Sequence, residues 1–181
     1  MITIRQTLVA ASAVIAVVFV TGCTTDNTGT PQPISSGEKS SETSTPPTSG
    51  SPFADVNACD LFDPVTSAQG FDASKEVKFE SDNGCQARKP SVGTASMYLV
   101  DAGIDQLDTP EGTKSQGAVA GKDAVIISGF SGSSSCLIGI PITSKARATV
   151  SMTLSSGSNE QACESAKSIA EQIVPKLPQG S

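Results

Sequence analysis

The chain has 181 residues with 12 Lys+Arg, 18 Asp+Glu, no His, no Trp and five Cys, and a formal net charge of −6. This length predicts one domain plus extensions. The acidic balance argues against nucleic acid, which wants a basic face, and the missing imidazole removes Ser–His and Cys–His nucleophile pairs and His-ligated metals.

Residues 1–22 carry the parts of an export signal. Arg5 and the α-amine form a short positive region, and Leu8 to Val20 is a 13-residue apolar run relieved only by Ser12. At 1.5 Å per residue the run reaches roughly 20 Å, short of a ~30 Å hydrocarbon core, so a permanent transmembrane helix is disfavoured. Without a twin Arg the general secretory route is expected. Val20-Thr21-Gly22-Cys23 resembles the bacterial lipobox. The resemblance implies a diacylglyceryl thioether on the Cys23 sulfur and cleavage before Cys23. Two or three acyl chains anchor stably where one does not.

Residues 23–51 are expected to form a polar tether. Thr24 to Ser51 holds 14 Ser/Thr, four Pro, three Gly and a single apolar residue, Ile34. Such a segment buries too little surface to offset ordering entropy and is expected to stay disordered. Ser/Thr beside Pro also suits O-glycosylation.

From Pro52 the composition changes, and residues 52–181 suffice for one hydrophobic core. Asp63-Pro64 predicts an N-cap followed by Pro at the first helical position, with Gly70 as the stop, giving a short helix over 64–69. Val77 and Phe79 alternate with Lys78 and Glu80, predicting a half-buried strand. Asp82-Asn83-Gly84 predicts a turn, with 85–88 returning as the partner strand. Thr94 to Val100, Ala124 to Ser128, Cys136 to Ile142 and Arg147 to Leu154 are further strand candidates, Pro141 marking an edge strand or a strand end. Ala162, Ala166, Ile169, Ala170, Ile173 and Val174 form one helical stripe. Ser158 with Gln161 predicts a capping box, and Pro175 the end of this helix. The expected class is α+β: a single domain with a mostly antiparallel sheet, flanked by a short N-terminal and a C-terminal helix.

With Cys23 assigned to lipid, Cys59, Cys85, Cys136 and Cys163 remain, and an even number in an exported chain predicts two disulfides. Three pairings are possible. Sequence alone does not choose among them; the sequential one, Cys59–Cys85 and Cys136–Cys163, would close two loops of similar length and tie each terminal helix to a strand, and is the expected pairing. A redox or metal role is disfavoured, with no C-x-x-C and no His.

Together these residues resemble the DUF3558 family of actinobacterial lipoproteins. The likeness rests on the lipobox and tether, Pro52-Phe53, Ala58-Cys59-Asp60-Leu61-Phe62-Asp63-Pro64, Gly70, Gly84-Cys85, Gly121-Lys122-Asp123-Ala124-Val125, Cys136, Ala162-Cys163-Glu164 and Pro175-Lys176-Leu177-Pro178. It covers roughly 52–178. The family often has an aromatic residue two positions after the second of the domain's cysteines, where this chain has Ala87. In layout the family looks similar to small cell-surface domains with a curved antiparallel sheet flanked by helices; no settled activity transfers from it.

Residues able to carry chemistry are few. Asp101, Asp105, Asp108 and Glu111 share a loop but lack the alternate-residue ligand spacing of a calcium site. Ser128 to Ser135 has Ser133 where a hydrolase elbow needs Gly, and is expected to be a hairpin loop. Ser36-x-x-Lys39 falls in the tether. No cofactor, metal or catalytic residue is therefore assigned, and an enzyme is not expected. The expected function is a non-catalytic binding domain on the outer face of the cell membrane, held through covalent lipid on Cys23. It would bind an envelope lipid, glycan or small ligand. The alternative is a protein-interaction or sensor module for another envelope protein. A cavity lined by Phe71, Phe79, Met97 or Phe130 would favour the first reading, and a contiguous exposed apolar patch the second.

Overall fold

The computed structural model describes residues 50–179. The signal, Cys23, Ser36, Lys39 and nearly all of the tether lie outside the described residues. Within 50–179 the elements run α1 (Ala58–Ala68), β1 (Lys75–Val77), β2 (Asn83–Lys89), β3 (Gly93–Val100), β4 (Thr113–Val119), β5 (Lys122–Ser128), β6 (Ser135–Thr143), β7 (Ala146–Leu154) and α2 (Asn159–Ile173). All seven strands form one antiparallel sheet in the order β1-β2-β3-β7-β6-β5-β4. Two meanders, β1–β3 and β4–β7, thus meet at the central pair β3 and β7.

The α+β class and the two terminal helices follow the sequence expectation, but α1 starts six residues before the predicted 64–69. Its N-cap is Asn57, whose side chain accepts from the Cys59 N–H at 2.8 Å. Asn83 of β2 supplies a second cap from a distance: its Oδ1 accepts from the Ala58 N–H at 2.8 Å while its Nδ2 donates to the Val56 carbonyl at 2.7 Å. Pro64 therefore sits inside the helix, at a position where it removes one intrahelical donor. Buried Phe62 and Val65 and the Cys59 disulfide hold the segment helical across that gap. Asp63 is no cap. Its carboxylate accepts from the Ser74 N–H and hydroxyl at 2.9 and 2.8 Å, and those bonds hold it below the usual carboxylate range. The C-terminal stop is where Gly70 predicts it. Gly70 takes φ +78°, and the N–H groups of Gly70 and Phe71 bond the carbonyls of Ser67 and Thr66, a Schellman motif.

Helix α2 forms as its stripe predicts, with Ser158 and Gln161 capping each other reciprocally. A 3-10 turn at Val174–Lys176, with Pro175 inside it, follows. Both helices lie against one face of the sheet. There Ala95, Met97, Ile138, Val150 and Met152 meet Phe62, Ala166, Ile169 and Ile173 in the main core. The sequential disulfides form, Cys59–Cys85 joining α1 to β2 and Cys136–Cys163 joining β6 to α2, with Cα separations of 5.0 and 4.9 Å. Ala87, buried at 1% exposure, is on this covered face too.

Three strand expectations change. The strand predicted through Phe79 stops at Val77, and Phe79 is 87% exposed in the β1–β2 connection. Asn83 and Gly84 belong to β2 rather than to a turn. Strand β4 had no counterpart in the sequence reading, since Thr113–Val119 is almost wholly exposed and carries no apolar alternation. Pro141 lies near the end of β6, beyond the Val125↔Gly139 pair that closes the ladder with β5. Its missing N–H therefore breaks no β5–β6 bond.

Because β3 is central and β4 is at the far edge, the β3–β4 connection must cross the sheet. It crosses on the face opposite the helices. Leu107 and Ile104 pack there on Val125, Ile127 and Leu137, with Phe130 alongside, as a small second core. Arg147 fastens the crossing by donating from Nη1 to the carbonyls of Ala102 and Gly103 at 3.3 and 3.0 Å, and Lys114 donates to the Leu107 carbonyl at 2.7 Å.

Candidate ligand-binding site

The crossing covers only the β5–β6 half of that second face. Over β2, β3 and β7 the sheet stays open, and its outward side chains are set by strand alternation. On β3 they are Thr94, Ser96 and Tyr98; on β7 they are Thr149, Ser151 and Thr153. The antiparallel register places these in three directly opposed pairs, Thr94↔Thr153, Ser96↔Ser151 and Tyr98↔Thr149. Gln86 continues the middle row onto β2 and donates to the Ser96 hydroxyl at 3.2 Å. Lys75 on β1 and Arg88 on β2 lie on this face opposite Gln86 and Thr94, while the three β3–β7 pairs at its centre carry only hydroxyls.

Two segments wall this floor. The β1–β2 connection folds back over the sheet, so that Glu80 accepts from the Thr149 hydroxyl at 3.0 Å. The Phe79 ring stands 6.4 Å from the Tyr98 ring at 53°. The β5–β6 loop brings Phe130 and Ser131 to the other side. Together they enclose a groove of about 380 Å³, within the ~300–1,000 Å³ range of small-ligand pockets. Its floor is recessed: Ser96 and Tyr98 are 7% and 8% exposed, and Thr149 beside them is buried beneath its bond to Glu80.

Gly84 explains how Tyr98 lies where it does. It faces Tyr98 across β2 and β3, and a Cβ there would come within 2.5 Å of the Tyr98 ring. The absent side chain lets the ring lie down over β2. Burial, and secondarily the Glu80 carboxylate, raise the Tyr98 phenol above its ordinary pKa, against a smaller opposite pull from Ser96. The phenol is therefore a neutral donor and acceptor over the physiological range.

The aromatic candidates from the sequence separate. Phe79 and Phe130 line the groove, whereas Met97 is fully buried under the helices. Phe71 lines a second groove of about 320 Å³ beside Gln69, Lys89 and Glu164. Lys89 forms part of its wall, its Nζ donating to the Gln69 carbonyl at 2.7 Å and sitting 5.8 Å from the Phe71 ring centroid. The acidic residues of 101–111 do not gather. Asp101 accepts from the Ser51 hydroxyl and Asp108 from the Thr109 N–H. Among the described residues no group of three or more His, Cys, Asp or Glu is placed to hold a metal ion. Residues 129–134 form the β5–β6 loop, with Ser135 bonding Gly132 and Ser131 across it. Glu80 is the only carboxylate lining the groove.

The sequence reading missed Thr94, Ser96, Thr149, Ser151 and Thr153. The signal was available as two matching alternations, Thr94-x-Ser96-x-Tyr98 and Thr149-x-Ser151-x-Thr153, each with hydroxyls on the face opposite the core residues.

No curated protein and no solved structure matches the chain. A family model described as a protein of unknown function, DUF3558, matches residues 18–176. That match spans most of the sequence, and the chain belongs to the DUF3558 family.

Proposed function

We propose that this chain is an exported actinobacterial lipoprotein, anchored to the outer face of the cell membrane through Cys23. Its folded part is a non-catalytic binding module for an envelope lipid, glycan or small ligand. The observation that carries the binding reading is the recessed, aromatic-walled groove on the open half of the sheet. Single exposed apolar residues, Phe79 and Val92, rather than a contiguous patch, are what the described surface offers a protein partner. The anchoring reading is supported by Val20-Thr21-Gly22-Cys23 and the polar segment behind it.

Two experiments test the two halves. Changing Cys23→Ala is expected to release the exported protein from membranes; retention through a high-salt wash contradicts the lipid anchor. Native mass spectrometry of the exported full-length chain is expected to show a reproducible added mass that is lost on denaturation. The mature lipidated chain alone, four hydrogens lighter than the same chain with its four domain cysteines reduced, counts against a tightly carried ligand.

A further inference from the structure

The groove's lining narrows the ligand class further than the reading above, on which this step rests. We propose that the open half of the sheet binds a neutral oligosaccharide, one sugar ring packed on Phe79 and its hydroxyls bonded to the floor of β2, β3 and β7.

Charge makes the first exclusion. No Lys or Arg lines the groove, and Glu80 is its one carboxylate. Phosphate headgroups, fatty-acid carboxylates and acidic sugars would meet no cation inside the groove and would lie against Glu80; Lys75 and Arg88 share this face opposite Gln86 and Thr94 but stand outside the lining. Polarity makes the second. An acyl chain laid over Gln86, Thr94, Ser96, Ser151 and Thr153 would strip water from their polar groups without replacing the lost hydrogen bonds.

Backbone pairing makes the third. Peptides dock on sheets by adding to a free strand edge. Here β3 is bonded on both sides by β2 and β7, and β7 by β3 and β6, so recognition on this face falls to side chains alone.

The side chains present suit a sugar. A pyranose has an apolar face of C–H groups and a rim of hydroxyls that both donate and accept. Phe79 offers an 87% exposed ring that the core does not use, and its segment is held to the sheet by the Glu80–Thr149 bond at 3.0 Å. The Glu80 carboxylate and Gln86 carboxamide are planar groups able to bond two neighbouring hydroxyls at once, and the Ser/Thr pairs supply rotatable donors and acceptors between them.

Tyr98 supplies the test without a label, because it is the only Tyr in a chain without Trp and forms part of the groove. The exported full-length chain, held in a detergent without a sugar headgroup, is titrated with maltotriose, cellotriose, mannotriose and N-acetylchitotriose while tyrosine fluorescence is followed. Sialyllactose and phosphatidylglycerol vesicles serve as the anionic arms. At least one neutral trisaccharide is expected to give a saturable change. Phe79→Ala and Gln86→Ala, both at exposed positions with unchanged melting expected, should weaken it about tenfold or more.

Saturable binding that neither substitution weakens would overturn the proposal by placing the sugar elsewhere. A response to sialyllactose or vesicles in place of the neutral sugars would overturn the ligand class and leave the binding module standing. Silence toward every probe, together with a bare chain in native mass spectrometry, would remove both.

Discussion

Removing one disulfide at a time gives a stability change that follows from chain geometry. Cys59–Cys85 and Cys136–Cys163 close loops with sequence separations of 26 and 27. In the chain-entropy account each closure removes about 3.5 kcal/mol worth of freedom from the unfolded chain. The loops neither nest nor overlap, so the two contributions should add. With roughly 2.1 cal/mol/K of unfolding entropy per residue over the described domain, 3.5 kcal/mol corresponds to a fall in Tm of about 13 °C. Cys85 and Cys136 are both fully buried, so Cys→Ala pairs also lose some packing in addition to this entropy. Removing both crosslinks would cost about 7 kcal/mol, comparable to the whole stability of a typical domain. The assay is calorimetry on Cys59→Ala/Cys85→Ala, on Cys136→Ala/Cys163→Ala and on the fourfold variant, each exported and checked by mass. Equal drops, with the fourfold variant at or past the edge of folding, are expected. A loss under about 5 °C for either pair, or a twofold disparity between them, would refute an unfolded-chain origin for the stabilisation.

Three further predictions concern the site and its supports. The phenol of Tyr98 should ionise above its ordinary value of about 10, because burial and Glu80 both disfavour the phenolate. That stabilisation is whole below the unfolded pKa and is lost as pH rises through the folded one; a phenolate absorbance midpoint at or below the free value contradicts it. Asn83→Ala removes both bonds that fix the start of α1 to β2 and should cost about 2 kcal/mol by denaturant unfolding, while a neutral change would mean Asn57 alone caps the helix. Gly84→Ala should displace both the Tyr98 ring and β1, since the added Cβ falls 2.5 Å from the ring and 2.5 Å from the Val77 carbonyl. The expected readout is altered tyrosine fluorescence in a variant that still folds, and an unchanged spectrum contradicts the packing described.

What the sequence made legible was what is determined locally. The stripe of α2 and its Ser158–Gln161 box lie within a few residues of each other, and β6 and β7 announce themselves by β-branched runs. The failures share a non-local cause. Asp63-Pro64 looks like a helix start when only neighbours are considered, but α1 begins at the Asn57 cap, and Asn83, which arrives from β2, fixes it there. Strand β4 has no hydrophobic pattern because it is an exposed edge, held by its pairing with β5. Phe79 alternates like a strand residue, yet its segment is drawn off the strand path by the Glu80–Thr149 bond across 69 residues. The candidate site was hidden for the same reason. Alternation shows which side chains of β3 and β7 face outward, but nothing local says that these two strands are neighbours, and the groove exists only because they are.

The account stands on the claim that the open sheet face is where a ligand sits. Backbone amide shift mapping of the isotope-labelled full-length chain, with and without the trisaccharide that perturbs Tyr98, tests this most directly. Shifts confined to 79–80, 86, 94–98 and 149–153 are the predicted result. Shifts clustered instead at Gln69, Phe71 and Lys89 beside α2, or scattered without a centre, would contradict it.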